Sequence, residues 1–197
     1  MNRPRIAVMG TFDTKAEEYQ YIIDRIGQLG ADVLTIDVST RDTAVLHGEY
    51  GCREIAQYAG STYELLTSGT RAESMAIIME GATKLVRQLL QEGRIQGLVS
   101  IGGSGGTTLA THVMRALPIG FPKVIATTQA CSDKLPGFIS GKDIIVINSV
   151  VDVSGLNSII SHVYDEAAGA VVGAALAYTP HTAGQSRSAG FCRCRSR

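Results

Sequence analysis

The chain has 197 residues, of which 45% are hydrophobic and 18% charged, so its composition is that of one folded domain rather than a disordered chain. Lys and Arg number 18 and Asp and Glu number 18, which gives no reason to expect nucleic acid or an anionic membrane surface as a partner. The absence of a 20-residue apolar stretch and of a signal peptide predicts a cytoplasmic protein.

Strands and helices are predicted to alternate along the chain. Short apolar runs predict strands at residues 5–9, 32–38, 97–101, 123–127 and 143–148. Apolar residues at helical spacing predict helices at 15–29, 53–59, 71–91, 107–117 and 156–178, and the rest of 40–69 is expected to be irregular. This order predicts an α/β fold with a Rossmann-like, doubly wound, mainly parallel sheet, which binds ligands beyond the carboxyl ends of its strands.

A first motif follows the first strand directly. It consists of Gly10, Thr11, Phe12, Asp13, Thr14 and Lys15. The glycine allows a tight turn, the threonines supply hydroxyl groups, and Thr14 with Glu17 fits a capping box at the start of a helix. The helix dipole and Lys15 would attract an anion, so the motif is a candidate phosphate loop. A well-capped helix with ordinary turn residues is the alternative, and the spacing of a Walker A loop is missing.

A second motif lies between the third strand and the next helix. Its residues are Gly102, Gly103, Ser104, Gly105, Gly106 and Thr107. Four glycines in five positions leave several N–H groups unshielded, and such a loop can form an anion-binding nest against a helix N-terminus. A flexible loop packed under a neighbouring element is the alternative.

The two motifs together predict one pocket, because the first and third strands can flank the switch point of a doubly wound sheet. Two phosphate cradles suit a nucleoside triphosphate with Mg²⁺ better than a dinucleotide, because a GxGxxG fingerprint after the first strand is absent. Asp13 or Asp143 is expected to contact the metal through water. Asp37, at the end of the second strand, is either a ribose-binding acid or a turn cap.

Residues 141–157 bracket a strand with polar side chains. Ser154 is a predicted N-cap, and Asp143, Asp152 and Asn157 are either ligand contacts at the sheet edge or caps and turns. The four cysteines and four histidines show no metal-ligand spacing.

The C-terminal residues differ from everything before them. Residues 185–197 hold four arginines and no acid, without helical or strand periodicity. We therefore expect a nucleotide-binding domain at 1–180 and a disordered or non-native arginine-rich tail at 181–197, with a basic arm for nucleic acid as the alternative.

Four segments occur in an order that resembles a known family: GTFDTKAEEYQYI, IDVST, IGGSGGT, and KDI followed by SVVDVSGLN. They resemble the Tm-one-like ATP-binding domain family, typified by the N-terminal region of the tomato mosaic virus resistance protein, over about residues 4 to 180. The resemblance implies that ATP is held by the loops Gly10 to Lys15 and Gly102 to Thr107. Family members are about twice as long, which implies that this chain is the first half of a two-subdomain fold.

The sequence leaves the reaction open. The main interpretation is ATP binding. One alternative is a phosphoryl-transfer enzyme similar to phosphofructokinase-like or NAD kinases, although Ser104 stands where their acid would be. Further alternatives are a non-catalytic regulatory or interaction module and an NAD(P) oxidoreductase. A homo-oligomer is compatible with each of them.

Overall fold

The computed structural model describes residues 3–151 and 155–178. The strands of this part are β1 (Arg5–Gly10), β2 (Asp32–Asp37), β3 (Gly97–Gly102), β4 (Lys123–Thr127) and β5 (Ile145–Asn148). The helices are α1 (Ala16–Gln28), α2 (Cys52–Tyr58), α3 (Tyr63–Ser68), α4 (Arg71–Gln91), α5 (Ser104–Arg115), α6 (Leu135–Ile139) and α7 (Ser158–Ala177).

All strand pairs in the described sheet are parallel, in the order β2-β1-β3-β4-β5. The prediction of a doubly wound α/β sheet is therefore confirmed. The chain adds β2 on one side of β1 and then β3, β4 and β5 on the other side, so the order of strand addition reverses between β1 and β3. A doubly wound sheet opens its ligand crevice at such a switch point. The two glycine-bearing motifs begin at the carboxyl ends of β1 and β3.

Helices cover both faces of the sheet because successive strand residues point to opposite sides. Ile6 and Val8 of β1 pack with α1 and α7, whereas Ala7 and Met9 pack with α2, α4 and α5. All four of these β1 side chains are fully buried. Burial of each large aliphatic side chain contributes roughly 1.5–3 kcal/mol, so this packing stabilises the sheet that carries the loops.

The structure corrects several predicted boundaries. Residues 63–68, expected to be irregular, form α3, whose N-cap Thr62 accepts a hydrogen bond from the Leu65 N–H. Helix α5 begins at Ser104 rather than at residue 107, so part of the predicted glycine loop is the first turn of a helix. Helix α7 is capped by Asn157, which accepts from the N–H groups of Ile159 and Ile160.

Three predictions fall on other parts of the chain. Asp152, Ser154 and the tail 181–197 lie outside the described residues. Within residues 3–151 and 155–178, no helix combines the length and the apolar character needed to cross a membrane.

Candidate functional site

A cavity of about 350 Å³ opens where β1 and β3 end. Every residue of the two motifs lines it except Phe12 and Thr107, and Asp37 is also absent from its wall. The rest of the lining, both polar and apolar, comes from other parts of the chain: Tyr19, Val38, Ser39, Thr40, Arg71, Met75, Ser100, Ile101 and Leu109. A volume of this size is within the range of small-molecule sites.

Tyr19 of α1 forms the floor of the cavity. The β1–β3 ladder stops at the Val8 and Val99 pair, although β1 and β2 stay paired up to Gly10. The Tyr19 hydroxyl fills the gap: it donates to the Ile101 carbonyl at 2.7 Å and accepts from the Ile101 N–H at 3.2 Å. Burial raises the pKa of Tyr19 to about 12, so this hydroxyl is a neutral structural group.

Two glycines are required by close packing around this floor. A Cβ added to Gly10 would lie 1.7 Å from the Tyr19 ring, and one added to Gly102 would lie 3.0 Å from the Gly106 Cα. Any side chain at Gly10 would displace the tyrosine from the gap between the strands. The glycines therefore bring the strand ends, the ring and the first turn of α5 together.

The first loop is held from inside by Asp37. One oxygen of this carboxylate accepts from the Phe12 N–H at 3.1 Å and from the Ser39 N–H at 3.0 Å, and the Ser39 hydroxyl in turn accepts from the Asp13 N–H at 3.2 Å. Burial raises the pKa of Asp37, and the hydrogen bonds from Ser39 and Phe12 offset part of that rise. Of the two roles that the sequence left open for Asp37, a ribose-binding acid or a turn cap, these hydrogen bonds favour the turn cap.

Most of the backbone N–H groups in the first loop already bond within the protein. The N–H groups of Phe12 and Asp13 are engaged as above, and the Lys15 N–H donates to the Thr11 carbonyl at 3.2 Å. The N-cap of α1 is Lys15 rather than Thr14, whose hydroxyl donates to the Thr11 hydroxyl at 3.1 Å. This loop therefore offers side chains to the cavity.

The second motif presents its backbone. Gly103 is the N-cap of α5, and the first helical hydrogen bond runs from the Thr107 N–H to the Gly103 carbonyl at 2.9 Å. The N–H groups of Ser104, Gly105 and Gly106 precede that bond and have no partner within the helix. All three residues line the cavity, so these donors lie where a ligand can reach them.

Thr107 is the last residue of the predicted phosphate loop, and the structure does not place it on the cavity wall. Its side chain is fully buried, and its hydroxyl donates to the Gly103 carbonyl at 2.8 Å. The Thr127 hydroxyl lies against it at the end of β4. Thr107 therefore fastens the first turn of α5 to the sheet instead of contacting a ligand.

The charges around the cavity favour an anion. Lys15 and Arg71 line it, and Asp13 is the one carboxylate among its described lining residues. The first turn of α5 contains no acid, whereas α1 carries Glu17 and Glu18 in its first turn. Since acids in the first turn offset the positive end of the dipole, α5 is the better anion site of the two helices.

Asp143 does not belong to this site. It precedes β5, and it accepts from the Lys123 ammonium at 2.9 Å and from the Gly120 N–H at 2.7 Å. Both partners lie at or before the start of β4, so the carboxylate is at the amino edge of the parallel sheet, opposite the cavity. The expectation that Asp143 shares a metal with the two loops is wrong.

Sequence reasoning missed Arg71, Ser39 and Tyr19. Arg71 is the first residue of α4, and only tertiary folding brings it to the cavity. The sequence shows Tyr19 only as one apolar position of a helix, and it shows Ser39 only as part of the segment IDVST, with no role of its own. The described residues contain no group of three or more His, Cys, Asp or Glu side chains able to hold a metal ion.

Comparison with known proteins identifies a family over most of the chain. The family described as "Uncharacterised protein family (UPF0261) N-terminal domain" matches residues 4–180. A UPF0261 protein of Clostridium tetani is 39% identical over 94% of this chain and 46% of its own length. A UPF0261 protein of Brucella suis is 41% identical over 88% of this chain and 42% of its own length.

More distant proteins are also similar. The ToMV resistance protein Tm-1(GCR237) of Solanum lycopersicum is 28% identical over 87% of this chain and 25% of its own length. A diflavin flavoprotein A3 of Nostoc sp. shares 12% identity at a TM-score of 0.45 over 89% of this chain and 96% of that chain, a level from which we conclude nothing. The chain spans about half the length of the UPF0261 proteins it matches. It belongs to the UPF0261 family, and its sequence corresponds to the N-terminal domain of that family.

Proposed function

We propose that this domain binds a nucleoside triphosphate, ATP with Mg²⁺, with its phosphates at the N-terminus of α5. The observation that carries the proposal is the run of N–H groups at Ser104, Gly105 and Gly106, which line a cavity and precede the first helical hydrogen bond. Helix N-termini of this kind attract phosphate through both the dipole and direct hydrogen bonds.

The side chains of the first loop complement these amides. Lys15 lines the same cavity and would neutralise phosphate charge, and the hydroxyl groups of Thr11 and Thr14 add polar contacts. Asp13 is exposed on the cavity wall, where its carboxylate would meet Mg²⁺ through water. Because no larger cluster of metal ligands occurs in the described residues, the phosphates themselves would supply the other oxygen ligands.

The resemblance to the Tm-one-like ATP-binding domains supports adenine as the base. The cavity lining supports binding more than phosphoryl transfer, because Ser104 occupies the place of the acid found in phosphofructokinase-like and NAD kinases. Among the described lining residues, Asp13 is the one carboxylate that could orient a nucleophile. We therefore propose nucleotide binding without assigning a reaction.

Calorimetric titration of the chain with ATP tests the proposal, in parallel with AMP, adenosine and tripolyphosphate, each with and without Mg²⁺. Phosphate recognition predicts that affinity follows phosphate content, so adenosine binds at least a hundredfold more weakly than ATP. At ATP concentrations a hundredfold above Kd, the fold gains about 2.7 kcal/mol, which raises Tm by roughly 5–10 °C. Equal binding of adenosine and ATP, or no binding at millimolar ATP, would overturn the proposal.

A further inference from the structure

A second cavity, of about 430 Å³, adjoins the nucleotide cavity. Asp13, Thr40 and Arg71 line both, so the two spaces share a wall. The second cavity continues past Arg71 to Arg41 and the end of α3. Apart from Asp13, its lining residues lie outside the two glycine-bearing motifs.

Arg41 and Arg71 differ from most other arginines of the described residues. Arg5, Arg25, Arg53 and Arg94 each pair with a carboxylate at 3.2 Å or closer. Arg41 and Arg71 have no ion pair or side-chain hydrogen bond within residues 3–151 and 155–178, although both line the second cavity. Asp42, the residue that follows Arg41 in the sequence, forms an ion pair with Arg53 at 2.8 Å.

The other polar groups of this cavity are largely committed to the protein. The Thr67 hydroxyl donates to the Tyr63 carbonyl at 2.9 Å, and the Ser74 hydroxyl donates to the Leu66 carbonyl at 2.6 Å. The start of α4 is closed by its capping box, in which the Thr70 N–H donates to Glu73 at 2.7 Å. The two guanidinium groups are thus the strong donors that remain for a ligand.

The local charge is opposite to that of the surrounding chain. The first 184 residues carry 14 Lys and Arg against 18 Asp and Glu. Among the described residues that line the two joined cavities, Lys15, Arg41 and Arg71 face the single carboxylate of Asp13. Guanidinium groups bind phosphate oxygens in a bidentate manner, and two of them beside one cavity suit a doubly charged phosphate.

We propose that Arg41 and Arg71 form a second phosphate subsite, continuous with the site at the N-terminus of α5. It takes either the terminal phosphate of the bound nucleotide or the phosphate of a second, phosphorylated substrate. This inference rests on the proposed nucleotide site, because the two cavities share a wall. Arg71 lines both cavities, so Arg41 is the residue that reports on the subsite alone.

The test uses the wild-type chain, Arg41→Gln, and Arg87→Gln as a matched control. Arg87 is an exposed arginine of α4 that lines neither cavity. ATP, ADP and inorganic phosphate are titrated by calorimetry, with phosphate added to the unliganded and to the ATP-saturated protein. If the nucleotide fills the subsite, wild type prefers ATP to ADP at least tenfold, and Arg41→Gln removes that preference without weakening ADP.

If a second substrate fills the subsite, phosphate binds to the ATP-saturated protein, and Arg41→Gln weakens that binding at least tenfold. The inference is overturned if Arg41→Gln matches Arg87→Gln in every titration. That result, with ADP still bound, leaves the nucleotide site standing. If no nucleotide binds, the proposed function fails, and phosphate binding to the unliganded protein with and without Arg41 still decides whether the subsite exists.

Discussion

Replacement of Gly105 by alanine separates the role of the α5 N-terminus in binding from its role in folding. An added Cβ at this position meets no heavy atom within 4 Å, and the residue lines the cavity. The methyl group therefore costs the fold nothing and occupies space that we assign to a phosphate. Alanine also favours helix by up to about 1 kcal/mol over glycine, so Tm should stay the same or rise by roughly 2–4 °C.

Binding should respond in the opposite direction. The methyl group would push the phosphate away and break at least one charge-assisted hydrogen bond. Such a loss costs about 1.5–3 kcal/mol, which weakens ATP binding roughly 10- to 150-fold. Gly173→Ala is the control, since Gly173 is an exposed glycine of α7 with equally open surroundings. Calorimetry and thermal unfolding of both variants give the result. A Gly105→Ala variant that folds normally and binds ATP as tightly as wild type would refute the placement of the phosphates.

Three further variants test other parts of the account. Tyr19→Phe leaves the N–H and carbonyl groups of Ile101 without their partner, so urea unfolding should show a loss of about 1–3 kcal/mol; an unchanged midpoint would mean that the strands close without the hydroxyl. Lys15→Gln should weaken ATP by about tenfold or more and reduce the salt dependence of binding, and an unaltered salt dependence in calorimetry would contradict a contact between Lys15 and phosphate. Burial by itself would raise the pKa of the Asp143 carboxyl. The hydrogen bonds from Lys123 and Gly120 outweigh this effect and leave the pKa below its usual value. Its ionised form therefore stabilises the fold above about pH 4, and this contribution is lost as pH falls through the lowered pKa. Asp143→Asn should be less stable than wild type at pH 7 and lose less stability on acidification, whereas parallel pH profiles in thermal unfolding would contradict this assignment.

The sequence predicted the sheet well because its signals are local. Short apolar runs mark β1, β3 and β4, which are buried on both faces, and the periodic helix at residues 71–91 was predicted at its observed bounds. The pairing of the two glycine motifs at one crevice also followed from strand order alone. Parallel strands place their carboxyl ends at one edge, so Gly10 and Gly102 had to lie on the same side of the sheet.

The same rule explains the error at Asp143. A residue that precedes a parallel strand lies at the amino edge, where Asp143 contacts Lys123. The predicted strand order already implies that separation, because residue 143 begins the fifth predicted strand. The true length of α5 was harder to predict, since glycines in a first turn oppose helix formation by propensity while the sheet beneath them holds the turn in place.

Long-range contacts account for the remainder. Arg71 lies 56 residues after Lys15 in the chain, yet both line one cavity. No local sequence pattern predicts a contact over such a distance along the chain. The hydroxyl of Tyr19 likewise acquires its role only because β1 and β3 separate after Val8 and Val99. Asp37 was identified as important by its position at a strand end, but its burial beneath the first loop decides that it supports the backbone there.

The central claim is that phosphates sit on the N–H groups at the start of α5. Its most direct test is a titration of the ¹⁵N-labelled chain with ATP and Mg²⁺, followed by amide chemical shifts. We predict that the signals of Ser104, Gly105 and Gly106 move first and furthest, while Gly120 at the opposite edge of the sheet stays in place. Saturable binding of ATP that leaves those three amides unmoved would contradict the claim.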